Sequence, residues 1–128
     1  MSDASRKLVS SGSPYEREVG FSRAVRVGNI VEIAGTAPVG ANAPGDMYAQ
    51  TKRCLEIIAQ ALRDAGADVR HVTRTRVMVT DMSRWREAAR AHGEMFGDAR
   101  PGCTFVEVSA FIDPEWLVEI EASAVVDD

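Results

Sequence analysis

The segment Leu117-Val-Glu-Ile-Glu-Ala-Ser-Ala124 constrains the fold of this chain more than any other. Its aliphatic and polar residues alternate with period two, the spacing that sends successive side chains to opposite faces of a β-strand. Val118, Ile120, Ala122 and Ala124 fall on one face, and Leu117, Glu119, Glu121 and Ser123 on the other. A one-residue slip in register would exchange the two sets, so the register is strongly specified. The run Arg100 to Ser109 reads as a second closing strand and carries Glu107. Carboxylates on an interior-type strand face water, line a cleft or meet a basic partner across an interface. Which of these holds decides whether the chain is an enzyme.

The rest of the chain supplies the layers around these strands. Lys7 to Val9 can begin a short strand, and Ser10 to Tyr15 reads as a loop. Phe21–Val27 and Ile30–Gly35 are β-rich runs on either side of Gly28-Asn29, the pattern of a hairpin. Thr36 to Gly45 holds too many helix and strand breakers for regular structure. Asp46 offers an N-cap, and Met47, Thr51, Cys54, Leu55, Ile58, Ala61, Leu62 and Ala65 recur at helical spacing up to Gly66. Val72 to Thr80 reads as a strand. Ser83 is the expected cap of a second helix with the inner stripe Trp85, Ala88, Ala89, His92, Met95 and Phe96, ended by Gly97. The order is ββ-α-β-α-ββ, which with no Gly-rich phosphate loop argues for an α+β fold in a single domain, residues 1–128. Two helices cover one face of a sheet. The other face is expected to carry Phe105, Leu117 and Val125 beside polar residues and to find a partner copy.

Charge and cysteine content narrow the function classes. The net charge is −4, and its Arg residues are scattered rather than clustered, which disfavours a nucleic-acid surface. The first residues lack the apolar core of a signal peptide, and no run is long enough to span a bilayer. Cys54 and Cys103 lack CxxC spacing, so free thiols in a cytoplasmic setting are the expectation. Neither His71 nor His92 joins a clustered set of ligands, and no metal site is expected.

The segments Phe21-Ser-Arg-Ala-Val-Arg-Val-Gly-Asn29, Val31-Glu-Ile-Ala-Gly-Thr-Ala-Pro-Val39, Asp64-Ala-Gly66, Val77-Met-Val-Thr-Asp-Met82 and Val118-Glu-Ile-Glu-Ala122 extend over nearly the whole chain. In motif and spacing they resemble the Rid family, also called YjgF or reactive-intermediate deaminase proteins. The resemblance implies a chorismate-mutase-like fold: a mixed β-sheet with two helices on one face, assembled as a homotrimer with small-molecule clefts between subunits. Family deaminases hydrolyse imines and enamines to ammonia and a 2-oxo acid without a metal or organic cofactor. By the same resemblance, Glu119 matches the acidic residue that positions the attacking water, and Gly35 the glycine beside the ligand. The implied cleft comprises Phe21, Ala34, Gly35, Cys103, Thr104, Phe105 and Glu119.

Four positions depart from the family pattern. Cys103 stands where the carboxylate-binding Arg is usual, Phe21 for Tyr, Ala34 for Ser and Ala89 for Asn. A thiol cannot make the paired, charge-assisted bonds of a guanidinium to a carboxylate. The expectation is therefore a divergent member acting on a different or non-carboxylated imine, or a non-catalytic ligand-binding or protein-interaction trimer. Glu119 reads as a water-positioning group or as the ion-pair partner of an Arg of another subunit. Glu121 reads as facing the central cavity or a salt bridge, Glu107 as an Arg partner, and Arg74 and Arg76 as partners of the acidic strand face or an anion site; Cys54 and His92 read as core, His71 as exposed, and Trp116 as the cover of a loop or subunit edge.

Overall fold

The computed structural model describes residues 6–128; residues 1–5, on which the reading of a missing signal sequence falls, lie outside the described residues. The strands are β1 (Arg6–Val9), β2 (Ala24–Val27), β3 (Ile30–Thr36), β4 (Val72–Val79), β5 (Gly102–Glu107) and β6 (Val118–Val125). The helices are α1 (Pro14–Val19), α2 (Met47–Asp64) and α3 (Trp85–Phe96). The strands form one mixed sheet in the order β1-β2-β3-β6-β4-β5, antiparallel throughout except where β5 runs parallel to β4. The closing strands therefore do not pair with each other: β6 inserts between β3 and β4, and β5 lies at the edge.

The alternation in β6 sits as its sequence requires. Val118, Ile120, Ala122 and Ala124 are buried, while Glu119, Glu121, Ser123 and Val125 are half-buried on the other face. The buried face continues through Val31 and Ile33 of β3 and Thr75, Val77 and Val79 of β4. Against it pack Met47, Cys54, Leu55, Ile58 and Leu62 of α2 and Ala88, Ala91 and Phe96 of α3. Each of the large aliphatic side chains contributes about 1.5–3 kcal/mol by leaving water. Asp46 caps α2 by accepting the Ala49 N–H at 2.9 Å. At the other end Ala67 N–H reaches Leu62 O and Gly66 N–H reaches Arg63 O, with Gly66 at φ +78°: a Schellman motif. In the β2–β3 hairpin Gly28 takes φ +59° as the first central residue, the conformation a type II′ turn needs.

Several expectations change on contact with the structure. Residues within the expected loop Ser10–Tyr15 open α1, with Ser13 as N-cap and Pro14 at the first helical position. The strand expected from Phe21 begins only at Ala24. Ser83 does not cap the second helix: Asp81 accepts the Ser83 N–H and hydroxyl and caps a 3₁₀ turn over Met82–Arg84, and α3 starts after Arg84 with no side-chain cap. Trp85 lies outside the inner stripe of α3 and is exposed; Ala91 takes its place in the core.

Phe105 was expected on the open sheet face, but its register partner is the core residue Val77, and its ring meets Trp85 edge-on at 5.8 Å on the helix side. Leu117 likewise packs against the core. His71, expected to be exposed, is buried: its Nδ1 accepts the Asp68 N–H, and its Nε2 lies 2.5 Å from Asp128. Glu107 accepts the backbone N–H of Met82 rather than an Arg.

Candidate active site

A β-bulge creates the site. Between Ile33 and Thr36 the β3–β6 register slips, so three steps along β3 match two along β6. The extra residue turns Thr36 into the core and brings Gly35 beside Glu119. A Cβ on Gly35 would stand only 3.3 Å from Glu119 Oε1, so the glycine is what leaves room for this carboxylate.

The bulge is closed by a residue whose role the sequence did not announce. Arg23 is 7% exposed, and its Nη1 donates to Gly35 O at 2.6 Å and to Thr36 Oγ1 at 3.0 Å. Thr36 in turn donates to Ala34 O at 2.7 Å. The guanidinium lies over the Phe21 ring, 5.3 Å from its centroid. Burial lowers the Arg23 pKa, while the charges of Glu16 and Glu119 act in the opposite sense. Arg23 lies two residues after Phe21, ahead of β2, and their same-face spacing in the strand expected from Phe21 was the one available signal for it.

Phe21, Arg23, Gly35, Thr36, Trp116 and Glu119 border a cavity of about 970 Å³ that extends along α1 and the outer side of α2. Trp116 is held there by buried Gln50, whose amide donates to Glu115 O and accepts Leu117 N–H on either side of it. Glu119 is half-buried, and burial raises its pKa, partly offset by the charge of Arg23. No hydrogen bond within the described residues contributes to that shift. The result is a carboxylate in partly dry surroundings, with lone pairs available to a water or ligand.

The expected site residues separate into two groups. Phe21, Gly35 and Glu119 meet at the cavity, and Ala34 lies behind it at the bulge. Cys103, Thr104 and Phe105 lie on β5, with β4 between them and Glu119, so one chain does not bring the two groups together. Cys103 is exposed on the edge strand beside Thr75, and Thr104 neighbours Arg76 on the open face. Arg100 is exposed at φ +51° and does not line the cavity. A smaller cavity of about 190 Å³ on the open face lies between Glu32, Arg74, Arg76 and Glu121, with Arg76 and Glu121 paired at 3.4 Å.

A mixed six-stranded sheet backed by two long helices, with a cavity at a bulge, defines the YjgF/chorismate-mutase-like class of α+β proteins. The family model described as Endoribonuclease L-PSP matches residues 13–126, and the chain belongs to this family, the YjgF/Rid family. The chain is 38% identical over 127 residues to an uncharacterised Streptomyces coelicolor protein, SCO2049, covering 97% of this chain and 95% of that one. It is 31% identical to the 3-aminoacrylate deaminase RutC of Acinetobacter baylyi, over 79% of this chain and 82% of the enzyme. Among solved structures, Rv2704 of Mycobacterium tuberculosis, a member of the YjgF/YER057c/UK114 family, is 52% identical. It superposes with a TM-score of 0.90 over 95% of this chain and all of that one.

Proposed function

We propose that the protein is a homotrimeric hydrolase acting on the C–N bond of a small imine or enamine in a cleft completed by a neighbouring subunit. The observation that carries this reading is the Glu119 carboxylate, half-buried at the cavity with its pKa raised by burial. In the proposed reaction a water held by Glu119 attacks the imine carbon and gives Glu119 a proton as the new C–O bond forms. The C=N electrons pass to nitrogen, which is protonated. Protonated Glu119 then returns its proton to the carbinolamine amino group, the hydroxyl proton passes to solvent, and ammonia leaves as the C–N bond breaks and the C=O bond forms. No cofactor is required by this chemistry. The RutC relative, named as a deaminase, supports the reaction class.

Cys103 favours a second reading, because a thiol exposed on the edge strand cannot supply the guanidinium that Arg-bearing family members use. On that reading the trimer binds a small molecule without turning it over. Ammonia release from freshly generated imines, 2-iminopropionate and neutral ones among them, separates the two. Wild type is expected to release ammonia from at least one, and Glu119→Gln to lower the rate about a hundredfold or more while the fold is kept. Equal turnover by wild type and Glu119→Gln, or none above the uncatalysed rate for any imine, would sink the hydrolase reading. Activity on 2-iminopropionate gained only in Cys103→Arg would assign the wild-type cleft to another ligand.

A further inference from the structure

Arg23 presents more than a structural cap. Among the described residues its Nη1 carries every hydrogen bond the side chain makes, to Gly35 O, Thr36 Oγ1 and, at 3.5 Å, Ala34 O. Among the described residues Nε and Nη2 have no partner, yet no buried side-chain nitrogen or oxygen there is left unsatisfied, so these two donors keep access to solvent. The residue lines the large cavity, so that access is through it. A guanidinium this deeply buried, fixed by one nitrogen and backed by an aromatic ring, offers its remaining two donors in a set geometry.

We propose that Arg23 is the anion anchor of this cavity, holding a ligand carboxylate through Nε and Nη2 beside Glu119. Parallel N–H donors from one guanidinium match the two oxygens of a carboxylate and strengthen in a partly dry site. The charges of Glu16 and Glu119 already act on Arg23, but among the described residues neither carboxylate hydrogen-bonds its Nε or Nη2, and the carboxylate of a 2-imino or 2-oxo acid supplies two oxygens to do so. The ligand class is therefore a small 2-imino acid or its 2-oxo acid, with the carboxylate at Arg23 and the adjacent carbon toward Glu119. This deepens the hydrolase reading by naming the residue that holds the substrate carboxylate, and rests on it only for the assignment of the reaction. An enzyme with Cys103 in its cleft is thereby able to act on a carboxylated substrate through a residue at the opposite end of the chain.

The test is a titration with pyruvate, with acetone as the neutral control, followed by NMR. In wild type, pyruvate but not acetone is expected to shift the Arg23 Nε–H resonance, and Arg23→Gln to raise the pyruvate Kd about tenfold or more. Arg23→Lys, which keeps the charge but not the fork, is expected to fall between them. An Arg23 resonance unmoved at saturating pyruvate, an unchanged Kd in folded Arg23→Gln, or no pyruvate binding to wild type overturns the assignment. If Arg23→Gln does not fold, the wild-type resonance and Arg23→Lys decide the matter. Pyruvate binding at Arg23 without ammonia release from any imine would uphold the anchor and reject the hydrolase reading alone.

Discussion

Gly35 is the residue on which the geometry of the site turns. It stands at the bulge, its carbonyl holds Arg23, and the space where its side chain would be is taken by the Glu119 carboxylate. A methyl group 3.3 Å from Oε1 forces that carboxylate to shift by a few tenths of an ångström. Gly35→Ala is therefore expected to keep the fold, because Gly35 does not require a left-handed backbone, and to lower kcat about tenfold, roughly 1.4 kcal/mol in barrier. Steady-state kinetics beside a thermal melt check this; a folded Gly35→Ala with unchanged kcat would show that the position of Glu119 is not critical. The importance of Gly35 was legible by resemblance, but its physical reason, a carboxylate packed against it, was not.

At the scale of elements, α3 is tied to β4 by His92, whose Nε2 lies 2.8 Å from Thr75 Oγ1 while its ring tilts against Phe96. The sequence reading of His92 as a packed residue agrees with this half-buried position. Burial lowers its pKa below the ordinary 6.5. As pH falls through 6.5 the unfolded chain takes up the proton first, and the folded chain only at its own lower pKa. The unfolded state binds more protons within that window, so the stability His92 contributes is full above 6.5 and is lost as pH falls toward the folded pKa. His92→Gln is expected to flatten the decline of melting temperature across that window, and an unaltered pH profile would count against it. Helix α2 was readable from its spacing and both of its ends. The six-residue α1 was not, because it buries no residue that would write a periodic pattern; only Ser13-Pro14 marked it.

For the whole molecule, the open face of the sheet is the decisive surface. Opposite the helices it exposes Leu8, Val27 and Ile30, 61%, 38% and 51% accessible, next to the charged band of Glu32, Arg76 and Glu121. The proposed trimer covers such a face and brings β5 of one copy, with Cys103 and Phe105, toward the cavity of another. Ile30→Glu places a carboxylate beside Val27 and Val125 in register, where a subunit contact would have to desolvate it. Sedimentation is expected to give three times the chain mass for wild type and the chain mass for Ile30→Glu. A monomeric wild type would remove the shared cleft.

The period-two alternation of β6 and the helical spacing of α2 by themselves determined the sheet, its buried face and the helices that cover it, because strand and helix periodicities are local properties of the chain. Strand order was decided only in three dimensions: β6 pairs with β3 and β4, and β5 runs parallel to β4 rather than against its neighbour in sequence. Tertiary structure also turned Phe105 toward Trp85 and buried His71 against Asp128. It likewise folded Arg23 back onto the bulge beside Gly35 and Glu119. Those placements depend on contacts between residues distant in the chain, and a charged side chain such as Arg23 reads as surface until the backbone carbonyls that bury it are in place.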